Sequence, residues 1–315
     1  MIKGKVLIAA PVHPVLTEGL LEHGYQPDSV PDINQASAFG RIADCVGVIT
    51  STRLQLDRQL IDAAPGLRFI GRMGSGMEVI DLAYAAQKEI ACYGSPEGNC
   101  NAVAEHALGM LLALNKRILA GHNEVRNGAW LREENRGTEL EGKTIGIIGY
   151  GHTGRSLARK LKAFDMNILV YDRYAAPAPE AGITVCDDLE PIFREADIVS
   201  FHVPIAADTY HYFSGDFLDR MQKPFVLVNT SRGEVADSEL IVKALEQGKL
   251  RGACLDVFEE EPLRAMSPRK KELLALLAAK DNVVLTPHIA GYSQEALYKM
   301  SRILLERIIK QNSRY

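Results

Sequence analysis

Short runs of Val, Ile, Leu and Phe recur along the chain, separated by longer stretches in which apolar residues return every three or four positions. The runs are Lys5–Ala10, Cys45–Thr50, Leu67–Gly71 and Ile90–Tyr93, then Thr144–Ile148, Asn167–Tyr171, Ile198–Val203, Phe225–Asn229, Ala253–Val257 and Asn282–Thr286. Many are apolar at consecutive positions, as expected of strands covered on both faces. Strands alternating with helices predict parallel sheets of doubly wound α/β type. Two such series exist, and the stretch 102–127 between them reads as one long helix. The expectation is therefore two α/β domains, about 1–100 and 101–290. A final helix over 293–311 has no strand after it and is expected to return to the first domain. The polar stretch 128–142 reads as an exposed loop around Trp130.

Composition narrows the classes. The chain has 315 residues, 47% apolar and 24% charged, the balance of an ordinary soluble globular protein with material for two cores. A net charge of −4 without a long basic run gives no electrostatic footprint for nucleic acid. The longest apolar stretch, Ala107–Leu114, is too short to span a bilayer, and the N-terminus shows no signal-peptide pattern. Five cysteines lack CxxC or zinc-type spacing, so buried free thiols in a reducing cytoplasm are expected, and no metal.

The segment "TIGIIGYGHTGRSLARKL" places Gly149, Gly151 and Gly154 in GxGxxG spacing, directly after a strand and before an amphipathic helix. Such glycines permit a tight turn and close backbone approach, so that a pyrophosphate can rest on the helix N-terminal amides. The next strand ends in Asp172, 18 residues beyond Gly154, where a carboxylate reads a ribose 2′-hydroxyl and repels a 2′-phosphate. NAD is the expected cofactor. The neighbouring Arg173 leaves room for NADP.

In an open parallel sheet, ligands bind at the carboxyl ends of the strands. Three later strands end in chemically capable residues: "NTSRG" with Arg232, "LDVFEEEP" with Asp256 and Glu261, and "LTPHIAGYSQEA" with His288. Singly, each has an ordinary structural reading as a cap, a solvated acid or a turn residue. In this order behind a glycine motif, they resemble the D-isomer-specific 2-hydroxyacid dehydrogenases. The resemblance extends to "RMGSGMEVIDL" and "GNCNAVAEHALGML" and covers nearly the whole chain.

That resemblance implies two Rossmann-like domains, 1–100 completed by 291–315 and 101–290, with the active site in the cleft between them, and usually a homodimer. It also implies roles. Arg232 would hold the carboxylate and carbonyl of a 2-keto acid through its fork-shaped guanidinium. His288 would exchange the proton, and Glu261 would orient its ring and favour its charged form. Asp256 matches the residue that orients the nicotinamide carboxamide. Gly74, Ser75 and Gly76 match a turn whose amides hold the substrate carboxylate, with Ser75 also approaching the nicotinamide. His152 and Thr153 lie in the pyrophosphate turn. Val203, Thr230 and Ser231 lie at strand ends beside it, and Gly291 is taken with the cofactor set.

Within the family, "GRMGSGMEVIDL" and "PHIAGYSQEA" look most like phosphoglycerate dehydrogenases, with Arg72 where those enzymes keep an arginine near the substrate phosphate. Thr50 stands where many of them have a second arginine, although Arg53 is close in sequence. Glyoxylate or hydroxypyruvate reduction stays open. Formate dehydrogenases, which carry an amide at the place of Glu261, do not fit. A different class also shares this fold: NAD(H)-binding corepressors that retain the three residues and act by recruiting proteins.

Overall fold

The uninterrupted apolar runs are strands with both faces covered. In Phe225–Asn229, Phe225 and Leu227 join one hydrophobic cluster, while Val226 and Val228 join a second on the opposite face. This arrangement is seen in a computed structural model that describes residues 3–174 and 180–312. The chain divides into two compact units, Met1–Cys100 with Gly291–Tyr315, and Asn101–Ala290.

The first unit is a parallel sheet of five strands: β1 (Gly4–Ala9), β2 (Tyr25–Ser29), β3 (Cys45–Thr50), β4 (Phe69–Arg72) and β5 (Ala91–Tyr93). Their order is β2-β1-β3-β4-β5, one of the two common doubly wound orders. Leu7, Val48 and Ile70 anchor one core cluster. The returning helix Gln294–Asn312 packs on helix Pro14–Glu22 and on β4, burying Leu304 and Ile308.

The second unit is a parallel sheet of seven: β6 (Thr144–Ile148), β7 (Asn167–Tyr171), β8 (Thr184–Val185), β9 (Ile198–Phe201), β10 (Phe225–Asn229), β11 (Leu250–Leu255) and β12 (Val283–Leu285). Read from β8 to β12 the order is β8-β7-β6-β9-β10-β11-β12. The chain thus reverses direction across the sheet between β6 and β9, the topological switch point at which such folds bind dinucleotides.

Three expectations need correction. β2 and β8 were not foreseen. β2 is "YQPDS", with Pro27 inside it, a residue tolerated because β2 lies at a sheet edge. β8 has two residues and carries little pattern. The helix expected over 102–127 is two helices, Pro96–Asn115 and Ile118–Arg126, broken at Arg117, whose φ of 52° is left-handed. The loop that follows supports the break: the Thr138 amide donates to the Asn115 carbonyl at 2.8 Å, and Arg117 Nε donates to Asn135 Oδ1 at 3.1 Å. Trp130 in that loop is 76% exposed.

Candidate active site

Because every described strand pair in the second unit is parallel, residues far apart in sequence share one sheet edge: those following β6, β7, β9, β10, β11 and β12. The glycine turn after β6 is built from three different constraints. Gly149 has φ +91°, and a side chain there would overlap the His202 carbonyl. A methyl on Gly154 would run into the Gly149 carbonyl oxygen. Gly151 faces open space and precedes helix His152–Leu161, at whose start no side chain caps the backbone amides. The helix N-terminus therefore offers donors and a favourable dipole to an anion. His152 is exposed and Thr153 half-buried on its first turn.

Neighbouring strand ends complete a cofactor-shaped edge. Asp172, after β7, accepts from Tyr150 N at 2.8 Å and Tyr174 N at 3.0 Å, which fixes its carboxylate beside the glycine turn. Arg173 is turned to Asp208 at 2.9 Å. Thr230 at the end of β10 is 8% exposed, and its hydroxyl has no hydrogen-bond partner among the described residues. A buried orphan hydroxyl is costly unless a ligand takes it up. Open space over Gly151, an uncapped helix start and this hydroxyl together fit a dinucleotide. Val203 is half-buried past β9.

The turn after β10 is held by Asn229, 1% exposed. Its Oδ1 accepts from Ser231 N at 3.1 Å and Ser231 Oγ at 2.7 Å, and its Nδ2 donates to the Arg232 carbonyl at 2.8 Å. Arg232 is half-buried, and its Nη1 donates to the Ser231 carbonyl at 2.7 Å.

Asp256, after β11, is fully buried, and it accepts from Thr286 Oγ1 at 2.5 Å, Ile289 N at 2.9 Å and Ala290 N at 2.8 Å. Its own carbonyl takes the His288 amide at 2.7 Å. The carboxylate thus shapes the loop that presents His288. His106 Nε2 meets the Thr286 hydroxyl at 2.9 Å behind it.

His288 stands in the left-handed region at φ 54°. A non-glycine residue there needs surroundings that hold it, and such residues gather at functional sites. Its Nδ1 lies 2.6 Å from Glu261 Oε2, with 40% and 28% of the two side chains exposed. Glu261 Oε1 accepts from Phe258 N at 2.7 Å, so one oxygen is fixed to its own loop and the other to the ring. With Nδ1 so occupied, Nε2 is the nitrogen left for proton exchange.

In the first unit, β4 ends in Arg72, 7% exposed, whose Nη1 donates to the Met73 carbonyl at 2.5 Å. Gly74 has φ +132°, and its amide donates to Ser95 Oγ at 3.0 Å. Ser75 is exposed, and Gly76 is half-buried. Arg53 pairs with Asp32. Thr50 Oγ1 is buried without a partner among the described residues. Gly291 opens the returning segment of this unit, against Asn99.

Several positioning residues carried no signal in the sequence: Asn229, His106, Thr286, and His202 after β9. Burial pushes the His202 ring down to about 4, so it is neutral near neutral pH, with Nε2 2.8 Å from Ser200 Oγ. Among the described residues no cluster could hold a metal ion, and no helix is long and apolar enough to cross a membrane.

Residues 108–290 match the family model described as D-isomer specific 2-hydroxyacid dehydrogenase, NAD binding domain. The chain is 38% identical over 261 residues to the glyoxylate reductase of Thermofilum pendens, covering 81% of this chain and 75% of that one. It is 33% identical over 308 residues to the D-3-phosphoglycerate dehydrogenase of Methanocaldococcus jannaschii; this spans 97% of the present chain but only 57% of that relative's length. The D-lactate dehydrogenase of Aquifex aeolicus, solved with NAD and lactic acid, superposes with a TM-score of 0.84 at 26% identity, covering 98% and 95% of the two chains.

Proposed function

The chain belongs to the D-isomer specific 2-hydroxyacid dehydrogenases, and from that premise we propose that it interconverts a short, unphosphorylated 2-keto acid and its D-2-hydroxy acid. The observation that carries the dehydrogenase reading is the His288–Glu261 pair, a half-exposed imidazole held by a carboxylate at a strand end of an NAD-binding domain. NAD, when bound, accepts or supplies the hydride.

The chain's residues do the rest. His288 gives its Nε2 proton to the nascent alkoxide during reduction and recovers it during oxidation. Glu261 holds the ring in place through Nδ1. Arg232 grips the substrate's carboxylate and carbonyl oxygens with a planar fork. The exposed Ser75 and the amides of Ser75 and Gly76 hold the substrate carboxylate, while the Gly74 amide stays with Ser95 Oγ. Gly149, Gly151, His152, Thr153 and Gly154 seat the pyrophosphate, Asp172 reads the ribose, and Val203, Thr230, Ser231 and Gly291 complete the cofactor set; Asp256, fully buried and bonded within the chain, acts through the loop that carries His288.

The setting of Arg72 supports one substrate class over the other. The Arg72 guanidinium is 7% exposed and its Nη1 is turned onto the Met73 carbonyl, while Arg53 pairs with Asp32 at the surface. The inward turn of Arg72 favours glyoxylate or hydroxypyruvate. The match across 97% of the chain to a phosphoglycerate dehydrogenase supports 3-phosphohydroxypyruvate as the second reading. Initial rates of NADH oxidation with glyoxylate, hydroxypyruvate and 3-phosphohydroxypyruvate separate them. The expected result is a higher kcat/KM for an unphosphorylated acid, and Arg72→Met leaving that ranking intact. A hundredfold preference for the phosphorylated acid, lost in Arg72→Met, reverses the assignment.

The exposed apolar set Ile118, Leu119, Val125, Trp130 and Leu131 suits a homodimer interface, testable by sedimentation of Trp130→Ser. The five free cysteines suit a reducing cytoplasm.

A further inference from the structure

Two residues before Glu261, the chain buries another carboxylate that the reaction does not use. Glu259 is 5% exposed. Its Oε1 lies 3.0 Å from His211 Nε2, and its Oε2 accepts from Ser238 N at 2.9 Å, from Ser238 Oγ and from Lys270 Nζ at 2.6 Å. Burial alone would raise the carboxyl's titration point, but Lys270, Ser238 and His211 outweigh it and bring it down to about 2. This acid is ionised at any working pH and fully partnered, far more than a surface loop requires.

The partners come from three segments. Ser238 begins the helix Ser238–Glu246 just after the Arg232 turn, Lys270 lies on helix Pro268–Ala278, and His211 sits in the loop after β9. His211 N also donates to the Glu234 carbonyl at 2.8 Å. The Arg232 turn and the Glu259 loop touch directly: a side chain at Gly233 would overlap the backbone of Phe258. Between Glu259 and Glu261, Glu260 takes a left-handed φ of 61°, so the loop is kinked, with Glu259 turned inward and Glu261 turned to the imidazole. A kink of this kind persists only where its surroundings over-determine it.

We propose that Glu259 is a positioning residue: its buried, multiply bonded carboxylate locks the loop carrying Glu261 to the turn carrying Arg232, and so sets how Glu261 meets His288. This rests on the dehydrogenase reading for its consequence in turnover, but the placement itself can be read without turnover. A residue serving stability alone would lower the melting temperature and leave the His288–Glu261 contact as it was.

The test compares Glu259→Gln with Glu261→Gln and the double variant in the full chain. The His288 ring is titrated by NMR, kcat and KM are taken with NADH and hydroxypyruvate, and melting is recorded alongside. Glu259→Gln is expected to displace the His288 titration in the same direction as Glu261→Gln and at least half as far. It should lower kcat on the order of tenfold and add nothing further in the Glu261→Gln background, because it acts through that residue. If Glu259→Gln does not fold, Ser238→Ala, which removes one donor from the same carboxylate, is expected to move the titration in the same direction.

A folded Glu259→Gln, or Ser238→Ala in its place, with an unmoved His288 titration overturns the proposal, however far the melting temperature falls. A wild-type chain that turns over no keto acid refutes the dehydrogenase reading instead, and the titration still decides the role of Glu259.

Discussion

Each unit carries a glycine-containing turn just past the carboxyl end of a strand, and the two turns are finished in opposite ways. After β4, the space beside Gly74 is filled by the chain itself: the Arg72 guanidinium lies where a side chain would be, and the Gly74 amide is taken by Ser95. After β6, the space beside Gly151 is empty of protein, and the helix behind it begins without a cap. Similar architecture thus yields one turn largely filled by its own chain, with Ser75 exposed, and one turn that leaves its donors to a ligand. Whether a strand end belongs to folding or to function is decided by which polar groups the chain has already used.

The largest effect belongs to the end that remains open. His288→Gln removes the proton-exchanging nitrogen and should cut turnover on the order of a hundredfold or more, with NADH affinity nearly unchanged. Glu261→Gln should keep much of the activity and move the pH–rate profile for reduction to lower pH, because the imidazolium loses its carboxylate partner at 2.6 Å. Steady-state kinetics across pH, beside melting curves, checks both. A folded Glu261→Gln with an unshifted profile would remove the pair from the mechanism.

The glycine turn itself allows a sharper division. Gly151→Ala meets no heavy atom within 4 Å, so the protein should melt as wild type does while NADH binding weakens about tenfold, or about 1.4 kcal/mol. Gly154→Ala forces a methyl against the Gly149 carbonyl, and should destabilise the second unit by about 1–3 kcal/mol as well as weakening NADH. Equal melting and equal affinity losses in the two variants would erase the distinction between the open and the packed glycine. Fluorescence titration with NADH and calorimetry give the two numbers.

A smaller change is expected at Asp172. Its carboxylate is fixed by Tyr150 N and Tyr174 N, and it stands against a 2′-phosphate. Asp172→Ala should reduce the preference for NAD over NADP several-fold, and no further, because Arg173 remains paired with Asp208. Unchanged selectivity in kcat/KM for the two cofactors would mean that the ribose is read elsewhere.

What could be read in the sequence follows the same division. Apolar runs such as FVLVN, and glycines in fixed spacing before a helix, are local patterns that a strand or a turn imposes by itself. The His288–Glu261 pair is not local, since 27 residues separate them; it was reached through family resemblance, and the structure adds the distance. Asn229, Thr286 and Glu259 lie inside the strand-end segments NTSRG, LTPHIAGYSQEA and LDVFEEEP, but their roles were not legible there, because those roles depend on partners brought together only by folding. β2 was missed because an edge strand may hold Pro27 and polar residues. The helix break at Arg117 was missed because its cause, the docking of Thr138, lies 21 residues onward.

The last difference between the units concerns acid. The two largest departures that oppose protonation lie in the second unit: His202, pushed down to about 4 from 6.5, and Glu259, brought down to about 2 from 4.5. Both bind protons more readily unfolded than folded, so each contributes stability that is complete above its unfolded value and lost as pH falls toward the folded one. His202 acts between about pH 6.5 and 4, and Glu259 between about 4.5 and 2. In the first unit, ion pairs such as Asp28 with Lys5 and Arg41 are partly solvated and contribute less. Near neutrality, where the ring is neutral folded and unfolded, the stability difference between His202→Gln and wild type in urea should not change with pH, and it reflects the lost Ser200 contact. From pH 6.5 downward the wild type should lose stability at up to about 1.4 kcal/mol per pH unit through this group, and the variant should show a flatter slope. Parallel slopes for the two proteins between pH 6.5 and 4 would mean that His202 titrates as freely in the folded chain as in the unfolded one, and the depressed titration of this ring would have to be given up.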